Sequence, residues 1–162
     1  MFSKVFAYKR FWLRFANLPF SLDQLDVYEK HFTVMNYTDT QLKQMFCSEF
    51  IREFEQQNPG YSWASVEADI FKMLRGVFDA AVSRPPPAGL GHSAQSGAMF
   101  ATDLMLSWDR DAAGQRIITP KLLEFNWMPD CERACDYYPE FFNNVFSVLW
   151  LEETEGQNVA PL

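Results

Sequence analysis

Long apolar runs are missing from this sequence. None of its segments approaches the roughly 18 unbroken apolar residues of a membrane-spanning helix, so no membrane crossing is expected. Cysteine is scarce as well. Cys47, Cys131 and Cys135 make an odd count, and Met1–Phe6 has no secretory leader, so the reading is a reduced, cytoplasmic protein without a disulfide framework. Basic charge is in the minority, with 14 Lys and Arg against 21 Asp and Glu for a formal charge of −7. That balance argues against nonspecific binding to nucleic acid or to an anionic membrane, although phosphate ligands answer to local charge and stay open. The only histidines, His31 and His92, sit in no Cys–His or Ser–His–Asp hydrolase signature. Internal repeats and low-complexity tracts are absent.

What is present is material for a core. Of 162 residues, 48% are apolar and 17% aromatic, enough to exclude intrinsic disorder and to build an ordinary domain. Val5–Phe15 reads as a strand, with Phe11, Leu13 and Phe15 on one face and Trp12 and Arg14 on the other. Ser21 and Gln24 have the form of a capping box opening a helix over 22–30, and His31–Tyr37 reads as extended. Thr38 or Asp39 caps a helix over 40–57, with Leu42, Met45, Phe46, Phe50 and Phe54 on one face. A longer helix is expected over 63–82, with a stripe from Trp63 to Ala81, ended by Pro85–Pro87. Met99–Trp108 and Arg116–Trp127 flank a polar, glycine-bearing turn, which is a β-hairpin pattern. Pro139 opens a last helix with Phe142, Val145, Phe146 and Leu149 inward, and residues 152–162 read as a flexible tail.

The informative residues are polar ones inside apolar strands: Asp103, Glu124 and Asn126. A lone ionised carboxylate in such surroundings is costly, so it needs a cationic partner, a proton or a metal. Glu124 and Asn126 are two apart and share a strand face. If Asp109 opposes Ile118 across the turn, the paired indices sum to 227 and Asp103 falls opposite Glu124. Their Cβ atoms would then lie about 5 Å apart. Two carboxylates and an amide oxygen on one face suit Mg²⁺, which fills its other positions with water and phosphate. The competing reading pairs Glu124 or Asp103 with Arg14 or Lys121. Cys131 and Cys135, joined by Cys47 or His92, would suit zinc, but the C-x3-C pair lacks a second paired motif.

The stretch from Asp103 to Pro129 resembles the closing hairpin of tubulin–tyrosine-ligase-like enzymes, an aspartate strand followed by Glu-hydrophobic-Asn near a proline. Leu13-Arg14-Phe15-Ala16 followed by Pro19-Phe20-Ser21, and Asn36-Tyr37, are similar to two further family segments. Glu29–Tyr37 and Asn126–Cys135 extend the likeness, which runs from Val5 to about Leu151. The resemblance implies an α+β, ATP-grasp fold, with residues 1–151 its C-terminal part, and a ligase that activates a carboxylate as an acyl-phosphate. It implies that Asp103, Glu124 and Asn126 hold Mg²⁺ on the phosphates of ATP, with Asn126 also a cofactor contact. It implies Arg14 near the acyl-phosphate site, where a strand arginine on a solvated face is the plainer alternative. Asn36 matches a residue beside the terminal phosphate. Met35 stands where active ligases have threonine, and Thr33 where they often have histidine.

The family's ATP-contacting lysines, glycine-rich phosphate loop and Arg-Lys-Phe-Asp-like strand have no counterpart here. Gly89, Gly91 and Gly97 follow a proline turn, not a strand. The expectation is a module that lacks its nucleotide-clamping lobe and is weakly active or inactive alone. Tubulin or microtubules are the implied partners, with microtubule association in the cytoplasm. The alternative is a noncatalytic module that binds tubulin or microtubules.

Overall fold

Residues 4–33, 43–93, 95–127 and 129–162 are described by the structure, a computed structural model. Val34–Tyr37, with Asn36, and the start of the helix expected over 40–57 lie outside the described residues. The chain forms two compact units, one joining Met1–Lys9 to Ser62–Leu162 and the other comprising Arg10–Tyr61. The class is α+β, with helices and small antiparallel sheets.

In the first unit, helix α3 (Trp63–Val82) matches its expected span. Ser62 caps it, its hydroxyl accepting from the Ser65 amide at 3.3 Å and so satisfying one of the donors a helix start leaves open. Trp63, Val66 and Ile70 are buried along one side. Further on, the Phe78 ring meets Phe100 and Phe125 edge-on, with centroids 5.9 and 5.5 Å away. Those two rings belong to strands β4 (Phe100–Arg110) and β5 (Arg116–Trp127), which form the expected hairpin. Its turn is closed by Asp111, whose Oδ1 accepts from the amides of Ala113 and Gln115 at 2.9 and 2.8 Å. Gly114 sits there at φ +79°, a conformation that a side chain would strain. Pro120 lies inside β5 opposite Leu106, tolerated because a two-stranded sheet leaves each strand an open edge.

Strand β1 (Phe6–Tyr8) pairs antiparallel with β6 (Val159–Pro161), Ala7 opposite Ala160. Residues 152–162, expected as a flexible tail, are therefore partly sheet. Asn144 supplies the reason. It is buried on helix α5 (Phe141–Phe146), accepts from Tyr8 Oη at 3.4 Å and Asn158 Nδ2 at 3.1 Å, and donates to Gln157 Oε1 at 2.7 Å. The Phe141 ring meets Tyr8 edge-on at 5.2 Å. These contacts turn Phe141, Asn144 and Val148 inward, not the expected Phe142, Val145, Phe146 and Leu149, and leave Phe142 and Phe146 exposed. The helix continues as a π-helical segment, Ser147–Leu151. Helix α4 (Cys131–Tyr137) was not foreseen, although Asp130 caps it by accepting from the Arg133 amide at 3.0 Å.

The expected strand over Val5–Phe15 is divided between the two units, because its two halves pair with different strands. β1 goes to β6, while β2 (Trp12–Phe15) pairs with β3 (Lys43–Phe46), Trp12 opposite Phe46. β3 takes residues expected to be helical, so helix α2 is only Cys47–Gln57. Its Cys47 and Phe54 are buried, and Phe50 meets Phe11 edge-on at 6.2 Å. The helix expected over 22–30 shrinks to α1 (Tyr28–His31). Gln24 adopts φ +57°, and Lys30 Nζ reaches its Oε1 at 2.8 Å and Ser21 Oγ at 3.1 Å. The capping-box side chains close a loop instead of starting a helix. Among the described residues, no helix is long and apolar enough to cross a membrane.

Asn144→Ala strips three polar partners at once. It is expected to lower unfolding free energy by about 1–3 kcal/mol in urea titrations and to speed proteolysis within residues 152–162. A loss below roughly 0.5 kcal/mol would show that the C-terminal strand is held by something else.

Candidate functional site

The hairpin carries the candidate site through a slip in its register. Near the turn, Asp109 faces Ile117, not the expected Ile118, and the pairing continues in step to Leu104 opposite Leu122. Between Leu104 and Asp103 the ladder shifts by one residue, and Asp103 then faces Glu124, as the sequence had suggested by a simpler route. Leu123 is the extra residue, and its side chain is 60% exposed. A β-bulge of this kind changes which face the following residues occupy. Without it, Glu124 and Asn126 would turn toward α3, and Phe125 would leave Phe78 and Phe100. The aromatic cluster and the polar face thus depend on the same slip.

On the side away from α3, the paired residues are Ala101 with Asn126 and Asp103 with Glu124, followed toward the turn by Met105 with Lys121. Asp103 is half-buried, whereas Glu124 and Asn126 are exposed. The Asn126 carboxamide donates to Glu124 Oε1. Asn126 Oδ1 and the carboxylates of Glu124 and Asp103, the last with a further interaction of its own, are oxygen donors of the kind a hard divalent cation takes. Among the described residues, no three His, Cys, Asp or Glu side chains gather into a metal-holding group, so two carboxylates and one amide are what the hairpin offers.

Lys121 does not neutralise the pair. Its Nζ lies 2.8 Å from Asp109 Oδ2, nearer the turn. The Lys121 bond, followed by one from Thr119, holds the Asp109 carboxyl below the usual carboxylate range. The stabilisation this gives is present above the ordinary aspartate value and is lost as pH falls through the lowered one. Sequence reasoning weighed Lys121, like Arg14, only as a partner of Glu124 or Asp103, and missed Asp109. The available signal was parity, because Asp103 and Asp109 are an even number of residues apart on one strand.

Arg14 is on β2 in the second unit, half-buried and opposite Gln44. Asn36 lies outside the described residues. Cys131 and Cys135 are one turn apart on α4, and no third zinc ligand joins them among the described residues. Burial pushes the Cys131 thiol up, helped by neighbouring Cys135 and Asp130.

Residues 3–158 match the profile of the tubulin-tyrosine ligase family. The chain is similar to tubulin–tyrosine ligase-like protein 12 of Mus musculus, 54% identical over 160 residues, which are 98% of this chain and 25% of that protein. The Homo sapiens protein of the same name is 52% identical over the same shares, and that of Caenorhabditis elegans is 41% identical over 97% of this chain and 23% of its own. The chain thus spans about a quarter of the length of these relatives. No solved structure matches it significantly.

The Cys131 thiol gives a titration that can be read directly. In a Cys47→Ser, Cys135→Ser background, its alkylation should reach half-maximal rate above the ordinary thiol value of about 8.5. The stability that burial of the neutral thiol contributes is intact below that value and lost as pH climbs through the raised one. An alkylation midpoint at or below the ordinary value would contradict the burial of the thiol.

Proposed function

The chain belongs to the tubulin-tyrosine ligase family, and from that premise we propose that it is the metal-bearing part of an ATP-dependent, ATP-grasp-type ligase module. Asp103, Glu124 and Asn126 are the proposed Mg²⁺ ligands. The observation that carries this reading is the bulged register, which gathers those three side chains on the face of the hairpin turned away from α3. When bound, Mg²⁺ on ATP neutralises charge that builds on the transferred phosphate. The chain's own contribution is to present carboxylate and amide oxygens on strands whose other face is pinned by Phe78. Rigid strands hold such ligands in place better than loops do.

Arg14 is the proposed contact to a substrate carboxylate or acyl-phosphate, a task suited to a two-pronged guanidinium. Asn36 is proposed beside the terminal phosphate. The proposed protein partner is tubulin, which the relatives' names contain. With a formal charge of −7, recognition of an acidic tubulin segment would depend on local groups instead of bulk attraction.

A second reading, a noncatalytic tubulin- or microtubule-binding module, is favoured by Thr33 and Met35. Where family resemblance places a histidine and a threonine beside the transferred phosphate, this chain has a weaker polar group and an apolar one. Both readings concern a chain whose matched relatives in Mus musculus and Homo sapiens are about four times longer.

Thermal unfolding with and without millimolar Mg·ATP separates the two. The metal-bearing reading expects Mg·ATP to raise the melting temperature, since a ligand that binds the native state at 100 times its Kd adds about 2.7 kcal/mol. Asp103→Ala and Glu124→Ala should each remove that rise. No rise in the parent chain would overturn the nucleotide site and leave the noncatalytic reading, whereas a rise kept by both variants would overturn the ligand assignment.

A further inference from the structure

Helix α5 and the π-helical segment that continues it present Phe142, Phe146 and Trp150 to solvent, with exposures of 50%, 55% and 56%. The opposite side of the helix holds Phe141, Asn144 and Val148, which are buried. Residues four apart on a helix are neighbours on one face, so the three rings form a line. The change of helix type keeps that line straight. In an α-helix four residues overshoot a full turn, whereas the wider π turn needs more than four. The drift from Phe142 to Phe146 is therefore offset between Phe146 and Trp150. Those two rings stack, with centroids 5.6 Å apart and planes 20° from parallel. The loop at Gly97 lies beside Leu149 and Trp150, at the far end of the line.

Three rings of this size, each about half exposed, offer apolar area on the order of 300 Å². That is the scale of the largest patch on many monomers, and such patches are often functional. The surroundings carry one sign of charge. From Ala134 to Leu162 the sequence has Asp136, Glu140, Glu152, Glu153 and Glu155, and no Lys, Arg or His. Glu140 stands just before Phe142, and the glutamates of 152–155 follow Trp150, so carboxylates close the line at both ends. Lys4 meets Glu152 at 2.9 Å. Glu140 accepts from Asn143 Nδ2 at 3.0 Å, a neutral donor that leaves its charge in place. Glu140, Glu153 and Glu155 are all exposed.

Charge and area together select the occupant. A second copy would set the same carboxylates against one another, and a standard interface takes about 800 Å² from each partner. An anionic lipid surface meets the same repulsion. A helix from another protein suits the line better, because its own apolar residues at three- and four-residue spacing can lie along Phe142, Phe146 and Trp150. Lys or Arg side chains on that helix would then meet Glu140 at one end and Glu153 and Glu155 at the other. We infer that this face docks a basic amphipathic helix of a partner protein. The surface uses none of the proposed cation ligands.

The probe is a synthetic amphipathic helix of about 18 residues, with Leu on one face and Lys on the other, titrated calorimetrically into the 162-residue chain and followed by amide NMR. A control peptide carries Glu at every Lys position. The Lys peptide should bind and shift the amide signals of residues 142–150, and the Glu peptide should bind at least tenfold more weakly. Phe146→Ser with Trp150→Ser should weaken the Lys peptide about tenfold or more, as loss of central aromatic anchors does, and both exposed positions should leave the urea midpoint unchanged. Glu140→Gln with Glu153→Gln and Glu155→Gln should weaken binding and flatten its dependence on salt. Failure of the Lys peptide to bind overturns the docking face. So does binding that neither variant weakens, or a Glu peptide that binds as well as the Lys peptide. Concentration-dependent dimerisation of the parent chain that the double Ser variant abolishes would also overturn it, by making the occupant a second copy.

Discussion

Between Leu104 and Asp103 the hairpin slips by a residue, and both faces of that strand pair depend on the slip. Toward the turn, the side of β5 that faces α3 carries Ile118, Pro120 and Leu122, at even positions. Past the slip the α3 side carries Phe125 and Trp127, at odd ones. A strand alternates strictly, so the two sets can share a face only if one residue is left over. Leu123 is that residue, with its side chain turned to solvent. Packing of Phe125 against Phe78 and Phe100 holds the far segment in phase, and Glu124 and Asn126 follow on the opposite side. The apolar core and the polar site are thus set by one constraint, and a change that shifts the first moves the second.

The sequence reading paired Asp103 with Glu124 through a constant register that is off by one at the turn, and the bulge, which it did not foresee, restores that pair. The polar residues within apolar strands marked the face, and the hairpin pattern brought the strands together. The bulge itself was visible only as a change of phase in Leu122-Leu123-Glu124-Phe125. Helix α3 was equally plain, because Ser62 and a long apolar stripe agree on its limits. Other elements were decided by distant partners that local patterns do not report. Val5–Phe15 alternates like one strand, yet its halves pair with segments about 30 and 150 residues away. The inward face of α5 is chosen by Asn144, a polar residue that a search for apolar stripes passes over, because its partners Tyr8, Gln157 and Asn158 are remote in sequence or beyond the expected end of order.

The site divides in the same way. Asp103, Glu124 and Asn126 are local to one hairpin, and the pairing of Asp103 with Glu124 holds through a bulge that the sequence reading did not include. Arg14 and Asn36 entered only through family resemblance, and Arg14 sits on a different sheet in a different unit. Lys121 was weighed as a neutralising partner of Asp103 or Glu124, whereas its ion pair is with Asp109. Membership in the tubulin-tyrosine ligase family places this hairpin in a protein type named for ligation to tubulin. The altered positions at Thr33 and Met35 bear on the proposed phosphate transfer, whereas the proposed cation ligands all belong to the hairpin.

The central claim is that three oxygen-bearing side chains, brought to one face by the bulge, act together on a divalent cation. The most direct measurement follows the side-chain carboxyl and carboxamide carbon signals of the hairpin during a Mg²⁺ titration of the 162-residue chain. The account predicts that Asp103, Glu124 and Asn126 shift together with one shared apparent affinity, while Asp109 and Asp111 stay in place. Shifts confined to Asp109 and Asp111 at the turn, or none at all, would contradict it.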